Sequence, residues 1–159
     1  MALSDADLEH LGRCVELARE ALENGDAPFG SVLVDADGLV LYEDRNRTGG
    51  GDATRHPEFA IARWAAANLA PVCRIRTTVY TSCEHCPMCA AAHGFVGLGR
   101  IVYASSAAQM HGWTAEVRGP ASPVAPLPIT AVVPKAVADG PAPLFEDQLK
   151  ALYQGRYQQ

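Results

Sequence analysis

Leu8, Leu11, Val15, Ala18 and Leu22 recur at three- and four-residue intervals, so the chain opens with an apolar stripe along one helix. Ser4 followed by Asp7 has the form of a capping box at its start, and Asn24-Gly25 ends the run. Beyond it the period shortens to two. Ser31 to Val34 and Leu39 to Tyr42 flank Asp37-Gly38, a pair suited to a tight reversal, which predicts two antiparallel strands. Thr48 to Asp52 carries three consecutive glycines and reads as a flexible loop, because the Gly-Lys-Ser/Thr ending of a phosphate-cradling loop is missing. Composition then predicts a helix over Pro57 to Leu69, a strand over Ile75 to Tyr80, a helix over Cys86 to Phe95 and a strand over Ile101 to Ala104. Helices between strands impose crossovers and leave a sheet covered on both faces. Seven of the eleven prolines lie in residues 119–143, around Ile129 to Val133, which predicts a short late strand held in irregular chain. Leu144 to Tyr157 reads as a terminal helix with Phe145, Leu149, Leu152 and Tyr153 on one face.

The length of 159 residues, with 48% hydrophobic and 19% charged, fits one globular domain over residues 1–159, with 144–159 as a C-terminal helix or arm. A net charge of −5 gives no positive field for a phosphate backbone, so nucleic acid is disfavoured as a partner. Arg45, Arg47 and Arg55 are scattered and read as solvated surface. Met1 to His10 lacks the basic and apolar regions of a secretion signal, and no run approaches a membrane span, so a cytoplasmic location is expected. Five cysteines cannot all pair. Three of them fall between residues 83 and 89, which in a reducing compartment points to metal, and Cys14 and Cys73 read as small buried apolar residues.

The chemistry concentrates in His56-Pro57-Glu58 and Cys86-Pro87-Met88-Cys89. Together they offer one imidazole and two thiolates as metal ligands, with a carboxylate left over. Three protein ligands leave the fourth position of a tetrahedral zinc open to water, and the ion lowers the pKa of that water from 15.7 to about 7. Pro57 suits the first position of a helix, putting His56 at the cap and Glu58 in the first turn, where residues two apart can converge. Cys86 and Cys89 are one helical turn apart. Two plainer readings compete: a Cys-x-x-Cys redox site, which needs neither His56 nor Glu58, and a closed structural zinc site using Cys83, Cys86, Cys89 and a histidine.

This pattern, H-x-E followed by C-x-x-C, resembles the cytidine deaminase superfamily. Ala27 to Val34 resembles that family's first strand, and Thr81-Ser82-Cys83-Glu84 leads into the cysteines as it does there. The similarity covers roughly residues 5–105 and is closest to the branch of guanine, cytosine and tRNA adenosine deaminases. The resemblance implies an α/β fold, a three-layer α/β/α sandwich with a central mixed sheet of about five strands. It further implies hydrolytic deamination of an amino-substituted heteroaromatic ring, with Zn2+ on His56, Cys86 and Cys89 and Glu58 as catalytic proton carrier. Asn46 would hydrogen-bond the ring, Phe29 line the pocket and Trp113, in a loop after the fourth strand, stack on it. Tyr157 or Tyr153 would close the pocket from the C-terminal arm, and the chain would be a homodimer acting on a free base such as cytosine, guanine, isoguanine or an amino-triazine. A tRNA adenosine deaminase and a non-catalytic structural zinc protein are the alternatives. Two residues depart from the family pattern. His85 stands where it has proline, and Pro57 replaces a residue whose backbone N–H holds a carbonyl oxygen of the base, a bond proline cannot make.

Overall fold

The structure is a computed structural model that describes residues 2–158; Met1 and Gln159, the two ends of the expected domain, lie outside the described residues. Helix α1 (Asp5–Glu23) begins with the expected capping box, the Ser4 hydroxyl accepting from the Asp7 N–H and the Asp7 carboxylate accepting from the Ser4 N–H. Strands β1 (Gly30–Val34) and β2 (Val40–Arg45) form the expected antiparallel hairpin. Its reversal is fixed by the Asp35 carboxylate, which accepts from the Asp37 and Leu39 N–H groups, and by Gly38 at φ 87°. Leu39 therefore belongs to the turn, and β2 runs on through Glu43, Asp44 and Arg45. Polar residues are tolerated there because β2 is an edge strand.

Helix α2 (Pro57–Asn68) follows, then the short helix α3 (Pro71–Arg74), β3 (Thr78–Cys83), α4 (Pro87–Val96) and β4 (Arg100–Ser105). Residues 75–77, expected in a strand, continue the α3 turn instead, with the Arg76 and Thr77 N–H groups donating to the Cys73 and Arg74 carbonyls. Cys73, expected to be buried, is exposed on α3. The sheet order is β2-β1-β3-β4-β5, with β1 antiparallel to both neighbours and β3, β4 and β5 parallel. This is the expected mixed five-stranded sheet.

Three late elements differ from expectation. His111 and Trp113 lie not in a loop but in helix α5 (Ala107–Glu116), capped by a second box in which Ser106 and Gln109 exchange hydrogen bonds. Residues 129–132 are not a strand but the helical turn α6 (Ile129–Val132), because the buried Glu84 carboxylate captures the Ile129 N–H after Pro128. The last strand is instead the two-residue β5 (Ala138–Asp139). Helix α7 (Glu146–Gly155) then buries Leu149 and Tyr153.

Strand alternation divides the core between two faces. Val32, Val34, Tyr80 and Val102 point toward α1, α5 and α7, meeting Leu11, Val15, Trp113, Leu149 and Tyr153. Leu33 and Val79 point the other way, toward Ile61, Ala62 and Ala65 of α2. Gly30 starts β1 flush against α1, since a Cβ there would sit 2.4 Å from the Leu17 Cβ and 2.5 Å from the Cys14 carbonyl oxygen. Among the described residues, no helix is long and apolar enough to cross a membrane.

Candidate metal centre

Two helices start side by side on the α2–α4 face. His56 is the N-cap of α2 and Cys86 the N-cap of α4, each in extended backbone and each followed by proline at the first helical position. Neither side chain caps its own helix. An N-cap side chain ordinarily accepts from the first-turn N–H groups; these two turn toward each other instead, with Cys86 Sγ 3.5 Å and Cys89 Sγ 3.6 Å from His56 Nδ1. The three ligand atoms lie within 4.8 Å of one another. A tetrahedral zinc with Zn–N of about 2.05 Å and Zn–S of about 2.3 Å holds nitrogen and sulfur ligands about 3.5–3.6 Å apart. The spacing fits zinc.

The electrostatics fit it as well. Cys86 is pulled down to about 4 by the hydrogen bond from Cys89 and by contact with His56, against the opposing effect of burial. Cys89 is pushed well up by its bond to Cys86, by burial and by the Glu58 charge. A bound cation would favour the thiolate at both sulfurs. The hydrogen bond with Cys86 raises His56, over the opposition of burial, and the Ala53 backbone also bonds the ring.

Glu58 is 6% exposed in the first turn of α2. Its Oε1 accepts from Ser31 Oγ and Thr81 Oγ1, both at 2.8 Å. Burial raises its pKa, while the His56 charge and the two hydroxyls restrain the rise. These hydroxyls were not anticipated from sequence. Their signal was polar residues at strand positions where alternation calls for apolar ones.

The remaining expected site residues are placed as follows. Asn46 is buried just beyond β2, its Oδ1 accepting from the Thr48 N–H at 2.9 Å and the Thr48 hydroxyl at 2.7 Å. Phe29 and Trp113 pack on Tyr153 with ring centroids 5.5 and 5.8 Å away. Trp113 is 7% exposed and belongs to the core on the α1–α7 face. Tyr153 is buried there too, its hydroxyl 2.9 Å from Ser105 Oγ. Tyr157 lies beside Gly119, under the Arg156 guanidinium. His85 is turned into the protein, edge-on to His93, and burial drives its pKa far below the usual histidine range. Cys83 is buried, pushed up to about 12 by burial, and outside the His56–Cys86–Cys89 group.

The model for the cytidine and deoxycytidylate deaminase zinc-binding region matches residues 4–105. The chain belongs to that family. Among relatives, it is 33% identical to a probable cytosine deaminase of Schizosaccharomyces pombe over 104 residues, covering 65% of this chain and 63% of that protein. It is 39% identical to a tRNA-specific adenosine deaminase of Agrobacterium fabrum over 87 residues, covering 54% of this chain and 57% of the other. The chain thus spans less than two thirds of the length of these relatives. The guanine deaminase structure from Nitrosomonas europaea superposes on 100% of this chain and 87% of its own, with a TM-score of 0.72 at 18% identity, a likeness of fold. Zinc is the metal this family's region binds, and His56, Cys86 and Cys89 form a group that could hold it.

Proposed function

We propose that this protein is a zinc-dependent hydrolytic deaminase of a free nucleobase or related amino-azine, of the cytosine, guanine, isoguanine or amino-triazine type, releasing ammonia. The observation that carries the reading is a buried carboxylate, Glu58, beside a three-ligand cluster that leaves one tetrahedral position open. When bound, zinc supplies Lewis acidity and lowers the pKa of water to about 7, so that hydroxide is available at neutral pH.

The chain's own residues do the rest. Glu58 takes a proton from the attacking water and delivers it to a ring nitrogen, which makes the amine-bearing carbon electrophilic; once the hydroxide has added there, Glu58 takes the remaining hydroxyl proton and gives it to the amine, which departs as ammonia as the carbon–oxygen double bond forms. Both hydroxyl bonds fall on Oε1, which leaves Oε2 to carry the protons. Thr48 occupies the Asn46 Oδ1, so the Asn46 amide can serve a substrate only as a donor through Nδ2, toward a carbonyl oxygen or an unprotonated ring nitrogen. Phe29 is assigned to the pocket wall. Pro57 has no N–H to offer the base, which sets this site apart from relatives that use that bond.

The second reading, a tRNA adenosine deaminase, draws on a cleft of about 540 Å³ beside His56, lined by Arg47, Arg55 and Arg63 with the stacked Tyr42–Trp64 pair. The net charge of −5, together with Asp44 and Asp52 in the same cleft, favours the small base. Phe95, 93% exposed on α4, is an apolar residue that a homodimer contact would cover, and sedimentation at several concentrations measures that assembly. The deciding experiment is an ammonia-release screen across free bases, nucleosides and amino-triazines with a tRNA control. Turnover of a free base is expected; turnover of tRNA alone, with steep salt dependence, reverses the assignment.

A further inference from the structure

Ser31 and Thr81 face each other across β1 and β3 as register partners, and both are fully buried. Strand alternation sends them to the α2 face, in line with Leu33 and Val79. Those two neighbours are apolar, as a covered face demands, and a Val–Val pair would extend the same core. Two hydroxyls stand there instead, directly under Glu58. A buried hydroxyl without a partner is unfavourable, so each must be spoken for.

Their hydrogen-bond inventory shows what holds them. Ser31 Oγ is 2.8 Å from Glu58 Oε1 and 2.9 Å from Thr81 Oγ1, and Thr81 Oγ1 is 2.8 Å from the same Oε1 and 2.9 Å from the Cys83 carbonyl oxygen. Each hydroxyl has one proton to give and can rotate it. The carboxylate and the Cys83 carbonyl can only accept. Two protons thus serve four contacts, and the arrangement that satisfies the buried charge best aims both at Oε1. That oxygen is clamped to the two central antiparallel strands of the sheet, while its helix carries the ligand His56 two residues away.

We propose that Ser31 and Thr81 are positioning residues for Glu58: by fixing Oε1 they orient Oε2 toward the reacting ring. This rests on the deaminase reading given above. The pair ties the proton carrier to β1 and β3, so that its place is set by the sheet rather than by side-chain rotation in α2. Positioning of this kind acts on turnover more than on substrate binding.

The test compares Ser31→Ala, Thr81→Val and the double variant with the wild-type chain and Glu58→Gln, using the base turned over fastest in the screen. Each single removal is expected to lower kcat roughly tenfold, with KM changed less than about threefold, since a hydrogen bond to a charged group is lost without altering the pocket. Zinc content by atomic absorption stays at the wild-type level. Thr81→Ser, which keeps the hydroxyl and avoids a poorly folded variant, restores most of the rate. In the Glu58→Gln background, Ser31→Ala costs nothing further, because no carboxylate is left to orient. An unchanged kcat in the double variant, or an equal loss from Ser31→Ala with and without Glu58, overturns the proposal. The two readings fail separately: turnover surviving Glu58→Gln removes the deaminase mechanism itself, whereas a dead Glu58→Gln beside a normal double variant removes only the clamp.

Discussion

Two of the molecule's buried carboxylates lie on opposite sides of its sheet, Asp7 at 4% and Glu58 at 6% exposure, and have opposite characters. Asp7 sits in the first turn of α1 and accepts from the Arg100 guanidinium at 2.7 and 3.1 Å, from the Tyr80 hydroxyl at 2.8 Å and from the Ser4 N–H. Burial works to raise its pKa, but these bonds together hold it well below the usual carboxylate range. Glu58 has two neutral hydroxyls and no guanidinium, and burial prevails. Partners as well as depth set the opposite directions of the two acids. One face of the sheet thus carries an ion-paired charge, and the other the carboxylate that we propose as the proton carrier.

The sharpest break in that contrast comes from the cation that the proposed mechanism places on the Glu58 face. Removing zinc with a chelator is expected to abolish ammonia release, and restoring zinc to recover it, while far-ultraviolet circular dichroism changes little because the sheet and both cores remain. Ammonia release undiminished in metal-free protein would refute the proposed role of the site. Next in size is Glu58→Gln. It preserves shape and the neighbouring hydroxyls but not proton transfer, so turnover should fall by about 10²–10⁴-fold with zinc still bound.

On the other face the corresponding change is Asp7→Asn. It leaves Arg100 with Asp139 as its remaining charge partner, and a loss of about 2 kcal/mol is expected in urea denaturation, less than for a buried pair with no second partner. Turnover should hold in the fraction that remains folded. The pH dependence has a definite sign. A carboxylate depressed in the folded state contributes stability fully above the ordinary Asp value of about 3.9 and loses it as pH falls toward the folded value. Wild-type stability should therefore fall more steeply than that of Asp7→Asn below about pH 4, and the two curves should converge. Parallel curves would mean that Asp7 carries no such linkage.

The contrast between faces also explains what could be read in the chain beforehand. Local rules were enough for α1, where the Leu8–Leu22 stripe and the Ser4–Asp7 box agree, and for the hairpin at Asp37-Gly38. The grouping of His56 with Cys86 and Cys89 was legible because His56 and Cys86 each precede a proline that starts a helix. Tertiary contacts hid the rest. Nothing local announces that Glu84, 45 residues upstream, will seize the Ile129 N–H and turn a β-rich stretch into a helix. Trp113 looked available to a substrate because its helix was missed, and in the fold it is committed to Tyr153. The hydroxyls of Ser31 and Thr81 acquire meaning only when β1 and β3 pair beneath α2.

The missed helix α5 offers the mildest test of the two-sided layout. Its box, Ser106 with Gln109, could have been read from sequence by the same rule that located α1. Ser106→Ala removes the hydroxyl that accepts from the Gln109 N–H, and an N-cap loss of this kind costs about 1 kcal/mol. Helix α5 packs on α7 across the sheet from the His56–Cys86–Cys89 group, so zinc content and kcat should stay at wild-type values while the denaturation midpoint drops slightly. A fall in kcat larger than the fall in folded fraction would show that the two faces are mechanically coupled through β3 and β4. The Ser105 Oγ bond to the Ser82 carbonyl oxygen, which joins those strands one residue before the cap, would be the first connection to sever in tracing that coupling.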